Sequence, residues 1–473
     1  MKKSTGVLTL VVALAAAYTG ASWYVGTKTE NAIRAQINTA NEYLRAQTQF
    51  EQLKIELASY NRSIFSATAS YVLSLRAQGE QETYEFILND TIAHGPIPFA
   101  AGSYVPAMAV SHLELQKNAT VEDWFELTDG KTPVYADTTI SWSGKADSTV
   151  EFLGFKKAQE EFTMDFSGGQ FITELDSSAK SYTGKFNFDH FILDSIEDEP
   201  FQMTLNKLYG DFSYTGQLYV DDKQLGKVVL EKAEINAEKA NLSLHGLEVT
   251  GNSATVNEML SGQARYAVKG IKVSDQDIGN LEIGVALNNW YAPAVKNITD
   301  VLNQLSADPD LDNLSEAERQ QLLNDLHALL ERKPSITIAP VLWANSAGKT
   351  DFGLEVKLQA PSTKQADLVD VMAWNEALEE AQLTVQISRP MLEQVINAMA
   401  QTDEEFDLPA VMEALDQVFE AASGLEAMGL VKMTDDGMES RIIYRGAEGG
   451  TLNINGVPVP MSDLLMMGMG LLM

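Results

Sequence analysis

A chain of 473 residues with 45% hydrophobic side chains is long enough for two or three domains and apolar enough to bury their cores, which excludes a disordered protein. The absence of cysteine excludes disulfides, thiolate metal sites and cysteine nucleophiles. The formal net charge of −32 argues against a basic surface, so we expect no nucleic-acid partner.

The stretch Gly6–Gly26 contains no charged residue. At about 1.5 Å per residue, a helix of this length reaches roughly the 30 Å of a hydrocarbon core. Two lysines precede it, so the N-terminus is expected in the cytoplasm and the rest of the chain outside. Two interpretations remain open: a retained anchor and a cleaved secretory signal. The apolar run beyond Ala17 and the pair Trp23-Tyr24 favour the anchor, because such aromatic residues lie at membrane interfaces.

A helix is predicted directly after the membrane segment. Thr27 followed by Glu30 matches the capping box of a helix start, and apolar residues then recur at helical spacing as far as Leu44. We therefore predict a juxtamembrane amphipathic helix of about 18 residues that continues the membrane helix or docks on the sheet.

Alternating apolar and polar residues dominate positions 50–288, as in strands with one buried face. The clearest run is Leu281, Ile283, Val285 and Leu287. Because no ten-residue helical pattern separates the strands, a long antiparallel meander with one face covered is predicted rather than a parallel sheet. The expected fold class is α+β and β-rich: an extended, curved antiparallel sheet with helices packed against it, plus an N-terminal transmembrane helix.

The pattern becomes helical at Asn289. One apolar face runs from Ile298 to Leu305 and is interrupted by Pro309. A second capping box, Ser315 to Glu318, begins another helix, which Pro334 ends. These signals predict a helical hairpin and the boundary between the two halves of the chain.

The C-terminal part mixes both patterns. Strands are predicted over Ser335–Leu342, Asp351–Leu358 and Gln382–Ser388, and helices near Lys364–Leu378, Pro390–Ala400 and Leu408–Ala422, with Gly424 as a helix C-cap. A last hairpin joins Ile442–Arg445 to Thr451–Asn455 over Gly449-Gly450. Four regions result: a cytoplasmic tip and anchor (1–27), a juxtamembrane helix and antiparallel β-rich region (28–288), the helical hairpin (289–334), and an α+β region with an apolar, Met-rich tail (335–473).

Motifs for phosphate, calcium and zinc are incomplete. Gly348-Lys349-Thr350 would end a P-loop, but Trp343 stands where that loop requires glycine, so a hairpin turn is predicted. Asp308–Asp312 resembles the start of a calcium loop, but Arg319 occupies its twelfth position and cannot bind calcium. The five histidines lack metal-ligand spacing. We therefore predict no catalytic, cofactor-binding or metal-binding residue and no cofactor.

The most distinctive loop motif is formed by His94, Gly95, Pro96, Ile97, Pro98 and Phe99. Its two prolines flank one apolar residue and favour a rigid extended turn after the predicted strand Thr83–Ala93. Two interpretations remain open: a structural corner, in which His94 hydrogen-bonds the bend, and a loop that contacts a ligand.

The tail Leu464–Met473 carries no charge and is too short to span a bilayer. It is expected either to pack into the core or to lie in an apolar groove, since methionine adapts to irregular surfaces. If it were exposed, it would form an apolar patch that requires a partner.

Six short motifs occur in order along the chain. They are Met1–Ser4 with Thr19–Gly26, Tyr60–Ser66, His94–Phe99, Phe166–Phe171, Ile336–Pro340, and Asn453–Gly456 with Ser462-Asp463. With them the chain resembles the YdgA/YihF-type envelope proteins of gammaproteobacteria, a family of unknown function. The resemblance implies single-pass attachment to the bacterial inner membrane through Gly6–Gly26, with the bulk of the chain in the periplasm. It supplies no catalytic residue and no substrate.

Three functions remain open. The first is a non-enzymatic binding or scaffold role, holding an apolar ligand such as a lipid chain, or an envelope partner protein, in a groove of sheet and helix. The second is a periplasmic hydrolase whose carboxylate pair is not visible in the sequence. The third is a self-assembling envelope subunit, a homo-oligomer formed through the helical hairpin or a sheet edge.

Overall fold

The computed structural model describes Ile37, Asn41 and the ranges 50–63, 66–77, 79–94, 98, 104–159, 161–177, 180–195, 200–237, 241–274, 276–307, 314–361, 376–401, 406–446 and 451–459. The predicted anchor Gly6–Gly26, most of the juxtamembrane helix, residues 364–375 of the predicted helix and the tail Leu464–Met473 lie outside these residues. Among the residues within them, no helix is both long and apolar enough to cross a membrane.

The described residues form a large antiparallel sheet of 22 strands with few helices, which confirms the predicted antiparallel, β-rich class. The chain divides into two compact units. Unit 1 comprises Met1–Asp194 and Asn206–Gly216, and unit 2 comprises Ser195–Leu205 and Gln217–Met473.

Unit 1 is a meander with one short helix. Its elements are β1 (Phe50–Arg62), β2 (Ser66–Ala77), β3 (Tyr84–His94), β4 (Ala109–Leu115), α1 (Glu122–Leu127), β5 (Val134–Ile140), β6 (Ala146–Phe152), β7 (Phe155–Ala158), β8 (Phe162–Phe166), β9 (Gly169–Leu175), β10 (Ser181–Ser195) and most of β11 (Phe201–Thr215). Strands β1 to β6 pair in chain order, β6 then pairs with β9, and β9 pairs with β10. Strands β7 and β8 form a hairpin, and β8 also pairs with β10.

One side of the unit 1 sheet is buried, and the alternation that the period-2 pattern predicted is clearest in β4. Its core contains Ala67, Ile92, Ala109, Ile140 and Ala146. Two hydroxyl groups on this side are hydrogen-bonded: that of Ser111 donates to Asp90 at 2.8 Å, and that of Thr138 donates to Ser148 at 2.9 Å. Burial, with the charge of Asp90, raises the pKa of Tyr71. Paired hydroxyls avoid the cost of burying unsatisfied polar groups.

The backbone of β1 is hydrogen-bonded by a side chain from the segment before it. Asn41, which is helical, donates from its amide to the carbonyl of Ile55 at 2.9 Å and accepts from the Ile55 amide at 2.7 Å. A carboxamide carries the same donor and acceptor as a peptide group, so Asn41 bonds both backbone groups of Ile55 as a neighbouring strand would.

Unit 2 contains the strands that follow β11 in the described residues. They are β12 (Lys223–Ala237), β13 (Asn241–Val256), β14 (Met259–Val273), β15 (Gln276–Tyr291), β16 (Ser335–Asn345), β17 (Gly348–Leu358), β18 (Leu378–Ser388), β19 (Lys432–Thr434), β20 (Gly437–Arg445), β21 (Thr451–Ile454) and β22 (Val457–Val459). Strands β12 to β18 pair in chain order. Strand β20 lies beside β18 and also pairs with β19 and β21, and β22 pairs with β21.

Four helices of unit 2 have defined bounds: α2 (Ala292–Ala307), α3 (Glu316–Glu331), α4 (Arg389–Ala400) and α5 (Leu408–Ala427). The predicted capping box is present, with Ser315 and Glu318 bonding each other's backbone amides. Asn297 on α2 donates to the Asp325 carboxylate on α3 at 3.2 Å. These contacts confirm two adjacent helices between β15 and β16.

Two details of the C-terminal prediction were wrong. Gly424 is not a C-cap but lies inside α5, which continues to Ala427. The left-handed residue after that helix is Gly429, with φ of +73°. A glycine inside a helix costs only about 1 kcal/mol, so Gly424 does not by itself end α5. Leu378, predicted to end a helix, begins β18 instead.

Candidate functional site: an exposed apolar face in unit 2

Successive side chains of a strand point to opposite sides of a sheet, so the apolar residues of β15 share one side. Tyr266 on β14 lies opposite Ile283 on β15, and Ile283 lies opposite Val341 on β16. The row continues through Phe352 on β17 to Val385 on β18. One uninterrupted row of apolar side chains therefore crosses five strands.

Two further rows flank the first on the same side. Val285, Ile338, Leu354, Leu383 and Ile442 lie opposite one another in turn from β15 to β20. Val268, Leu281 and Trp343 form the third row. The rows stay aligned because neighbouring rows are two residues apart along each strand. The exception is β16, where a bulge places Ile338 and Val341 three residues apart.

Six large side chains of these rows are exposed, between 37 and 48%: Tyr266, Leu281, Ile283, Phe352, Leu354 and Leu383. We call the surface formed by these six residues the apolar face. With strands about 4.8 Å apart and two residues between rows, it measures roughly 20 Å across the strands and 14 Å along them. The prediction that one face of the meander is covered is therefore wrong for this part of the chain.

The other side of the same strands is polar. Arg265 donates to both carboxylate oxygens of Glu282, at 2.7 and 2.8 Å. This hydrogen bond lowers the pKa of Glu282 and raises that of Arg265. The Lys357 ammonium group donates to one carboxylate oxygen of Glu380 at 2.9 Å. Exposed ion pairs add little stability, but they keep this side solvated and distinguish it from the apolar face.

Two open depressions in unit 2 offer little for catalysis. The first, about 450 Å³, contains His245, Lys269 and Asp277, and the second, about 490 Å³, contains Arg389 and several acidic residues. In the second, Arg389 is bonded to Glu393 at 2.7 Å and to Asp416 at 2.6 Å, which raises its pKa. Within the described ranges, no three acidic or histidine side chains are grouped to hold a metal ion.

A hydrolase of the kind considered above requires a carboxyl group with a raised pKa, to act as an acid. Five carboxyl groups of the described residues have displaced pKa values, and all five are lowered by hydrogen bonds to their partners. They are Asp165, Glu174, Glu282, Glu318 and Glu380. These groups are suited to remain ionised and do not favour acid catalysis.

The predicted loop from His94 to Phe99 is described only in part. His94 ends β3 and pairs with Ala109, and Pro98 is fully buried. Gly95, Pro96 and Phe99 lie outside the described residues. Both interpretations of this loop, the structural corner and the ligand contact, stay predictions.

A histidine between two carboxylates is a feature that the sequence analysis missed. His112 on β4 lies 2.7 Å through Nδ1 from Asp137 on β5 and 3.2 Å through Nε2 from Glu114. Burial lowers the pKa of His112 and is the largest single effect, but the hydrogen bonds and charges of both carboxylates together raise it. In the sequence, only Glu114, two residues after His112, could have indicated this arrangement. Asp137 comes near His112 through the pairing of β4 with β5.

We expect His112 to make the stability of unit 1 depend on pH. Because its folded-state pKa is raised, its contribution is complete below the ordinary value of about 6.5 and is lost as pH rises through the folded-state pKa. The difference in melting temperature between the native chain and His112→Asn should therefore shrink from pH 6 to pH 9. A difference that grew with pH would contradict this assignment.

Comparisons with known proteins give a family without an assigned activity. The model of a bacterial protein family of unknown function, DUF945, matches residues 1–462. The Escherichia coli protein YdgA is 25% identical over 98% of this chain and 96% of its own. The uncharacterised E. coli protein YihF is 21% identical over 76% of this chain and 78% of its own. No solved structure matches the chain.

Proposed function

The chain belongs to the bacterial family of unknown function DUF945, and from that premise we propose that it is a membrane-anchored periplasmic protein that binds lipid acyl chains on the apolar face. The observation that carries the proposal is the exposure of six large apolar side chains in aligned rows. Apolar area left in water costs about 25 cal/mol per Å², and an occupant that covers it recovers this free energy. The role proposed is binding, without a chemical step.

The chemistry of the apolar face favours a hydrocarbon over an extended peptide. Strands β14 to β18 are each paired on both sides, so their backbone groups are already bonded to neighbouring strands. An extended peptide lying across this face would leave its own amides and carbonyls without partners, which is unfavourable. An acyl chain has no such groups.

The dimensions of the apolar face also suit an acyl chain. One leaflet of a bilayer is about half of the 30 Å hydrocarbon thickness, so an extended chain needs roughly 15 Å. The face offers about 20 by 14 Å. Each methylene group that leaves water contributes about 0.8 kcal/mol. The predicted anchor Gly6–Gly26 would hold the chain beside a membrane, the source of such lipids.

Photo-crosslinking at the apolar face tests the proposal in the full chain in bacterial membranes. We would place benzoylphenylalanine at Phe352 and, as a matched control, at Gln386, an exposed residue on the opposite side of the neighbouring strand. We expect light to attach lipid at position 352, seen by mass spectrometry as a peptide with the mass of a lipid added, and none at position 386.

Each other occupant gives a different product and would overturn the proposal. A crosslink to another peptide of the same chain would indicate that the chain covers its own face. A product of twice the chain's mass would support the self-assembling subunit, and a product with a different protein would support a protein partner. Equal lipid labelling at both positions would show that lipid contact is not specific to the apolar face.

A further inference from the structure

One end of the unit 1 sheet carries large exposed apolar side chains. Tyr104 is 81% exposed, Val105 67% and Trp142 59%. Trp142 lies in the turn between β5 and β6, and the other two lie just before β4. Ala109 pairs with Ile140, and the Met108 amide donates to the Ile140 carbonyl at 2.8 Å. This pairing brings both segments to the same end of the sheet.

The turn that carries Trp142 satisfies its own polar groups. The Ser141 amide donates to the Lys145 carbonyl at 2.9 Å, and the hydroxyls of Ser141 and Ser143 lie 2.8 Å apart. Gly144 takes a left-handed conformation, with φ of +85°, that closes the turn. The turn therefore needs no contact from the indole ring, which leaves Trp142 available to a partner.

The residue types indicate a bilayer interface as that partner. Tryptophan and tyrosine combine an apolar body with a polar tip, and they concentrate at the level of lipid headgroups. Exposed large apolar side chains at the tips of loops are otherwise unfavourable in water. Three such side chains at one end of a sheet are suited to shallow insertion into a bilayer.

The predicted anchor can reach this end of unit 1. Asn41 is fixed beside Ile55, and Gly26 precedes it by 15 residues, which span about 22 Å as a helix. From Ile55 to Arg62, the last residue of β1, the strand covers roughly 23 Å. Arg62 lies at the same end as Trp142, because the paired residues Ala67, Ile92 and Ser111 connect it to the end of β5.

We infer that Tyr104, Val105 and Trp142 insert into the interface of the bilayer that anchors the chain. The inference rests on the anchor in the proposed function but not on the apolar face. It assigns a membrane contact to unit 1 itself, in addition to the N-terminal segment.

The absence of native cysteine allows a clean test with the full chain in phosphatidylcholine vesicles. The variant Ser143→Cys, which keeps Trp142, would carry an environment-sensitive nitrobenzoxadiazole label. Glu82→Cys, exposed in the connection between β2 and β3 at the other end of the sheet, is the control. We expect a blue-shifted label at position 143 that loses about half of its emission to doxyl-labelled lipid, as expected at interfacial depth, and an aqueous label at position 82.

Adding Trp142→Ser and Tyr104→Ser to the labelled Ser143→Cys chain should shift the emission of the label back towards its value in water. Unit 1 should stay folded, since both side chains are exposed. A water-exposed label at position 143 in protein that floats with the vesicles would overturn the inference and leave acyl-chain binding intact. A chain that does not float with the vesicles would overturn both the anchor and this inference.

Discussion

Gly168→Ala is expected to destabilise unit 1 by about 2–5 kcal/mol, the sum of backbone strain and overpacking. Gly168 lies between β8 and β9 with φ of +75°, where a side chain is strained. A β-carbon there would lie 2.5 Å from the Phe152 carbonyl oxygen and 2.7 Å from the Gly154 nitrogen. Because both are backbone atoms of the adjoining segment, neither can move aside as a flexible side chain would.

Gly130→Ala is the matched control, since Gly130 has nearly the same φ, +79°, and nothing within 4 Å of the added carbon. It should cost only the strain, about 1–2 kcal/mol. Hydrogen exchange of peptides covering Gly169–Leu175 and Val134–Ile140 in the full chain would compare the two variants. Equal loss of protection in both variants would refute the role assigned to the close backbone contact.

Phe352→Glu is expected to remove most of the lipid that purifies with the native chain. A carboxylate in contact with hydrocarbon costs about 2.5–3.5 kcal/mol, so acyl-chain affinity should fall by roughly 100-fold. Unfolding is not expected, because Phe352 is already exposed. The ratio of lipid to protein after purification in one detergent, measured by mass spectrometry, checks the result.

Gln386→Glu adds the same charge at an exposed position on the opposite side of β18, the strand that pairs with β17. This control should keep the native lipid content. If both variants lost lipid equally, net charge rather than the apolar face would control retention. If neither did, the acyl chain would lie elsewhere.

Alternation along the sequence was sufficient to predict the strands but not what lies against them. The run Leu281, Ile283, Val285 and Leu287 shows that β15 has an apolar side and a polar side. The same pattern results whether the apolar side meets a helix, another sheet or a ligand. The sequence therefore led to a covered face, whereas the apolar face of unit 2 is exposed.

Sequence motifs were reliable for structures that form between residues close together in the chain. The capping box of Ser315 and Glu318 begins α3, and Gly348 begins β17 directly after a tight turn from β16, as predicted. Non-local contacts could not be predicted in this way. His112 meets Asp137 only because two strands pair in one particular register, and the sequence does not specify that register.

The hydrogen bonds between Asn41 and Ile55 also affect whether another chain can pair with β1. An unpaired strand edge is a template on which another molecule can add a strand, which leads to aggregation. By bonding both backbone groups of Ile55, Asn41 occupies two of the groups with which such an added strand would pair. The contact from Asn41 therefore also limits the addition of another strand at this part of β1.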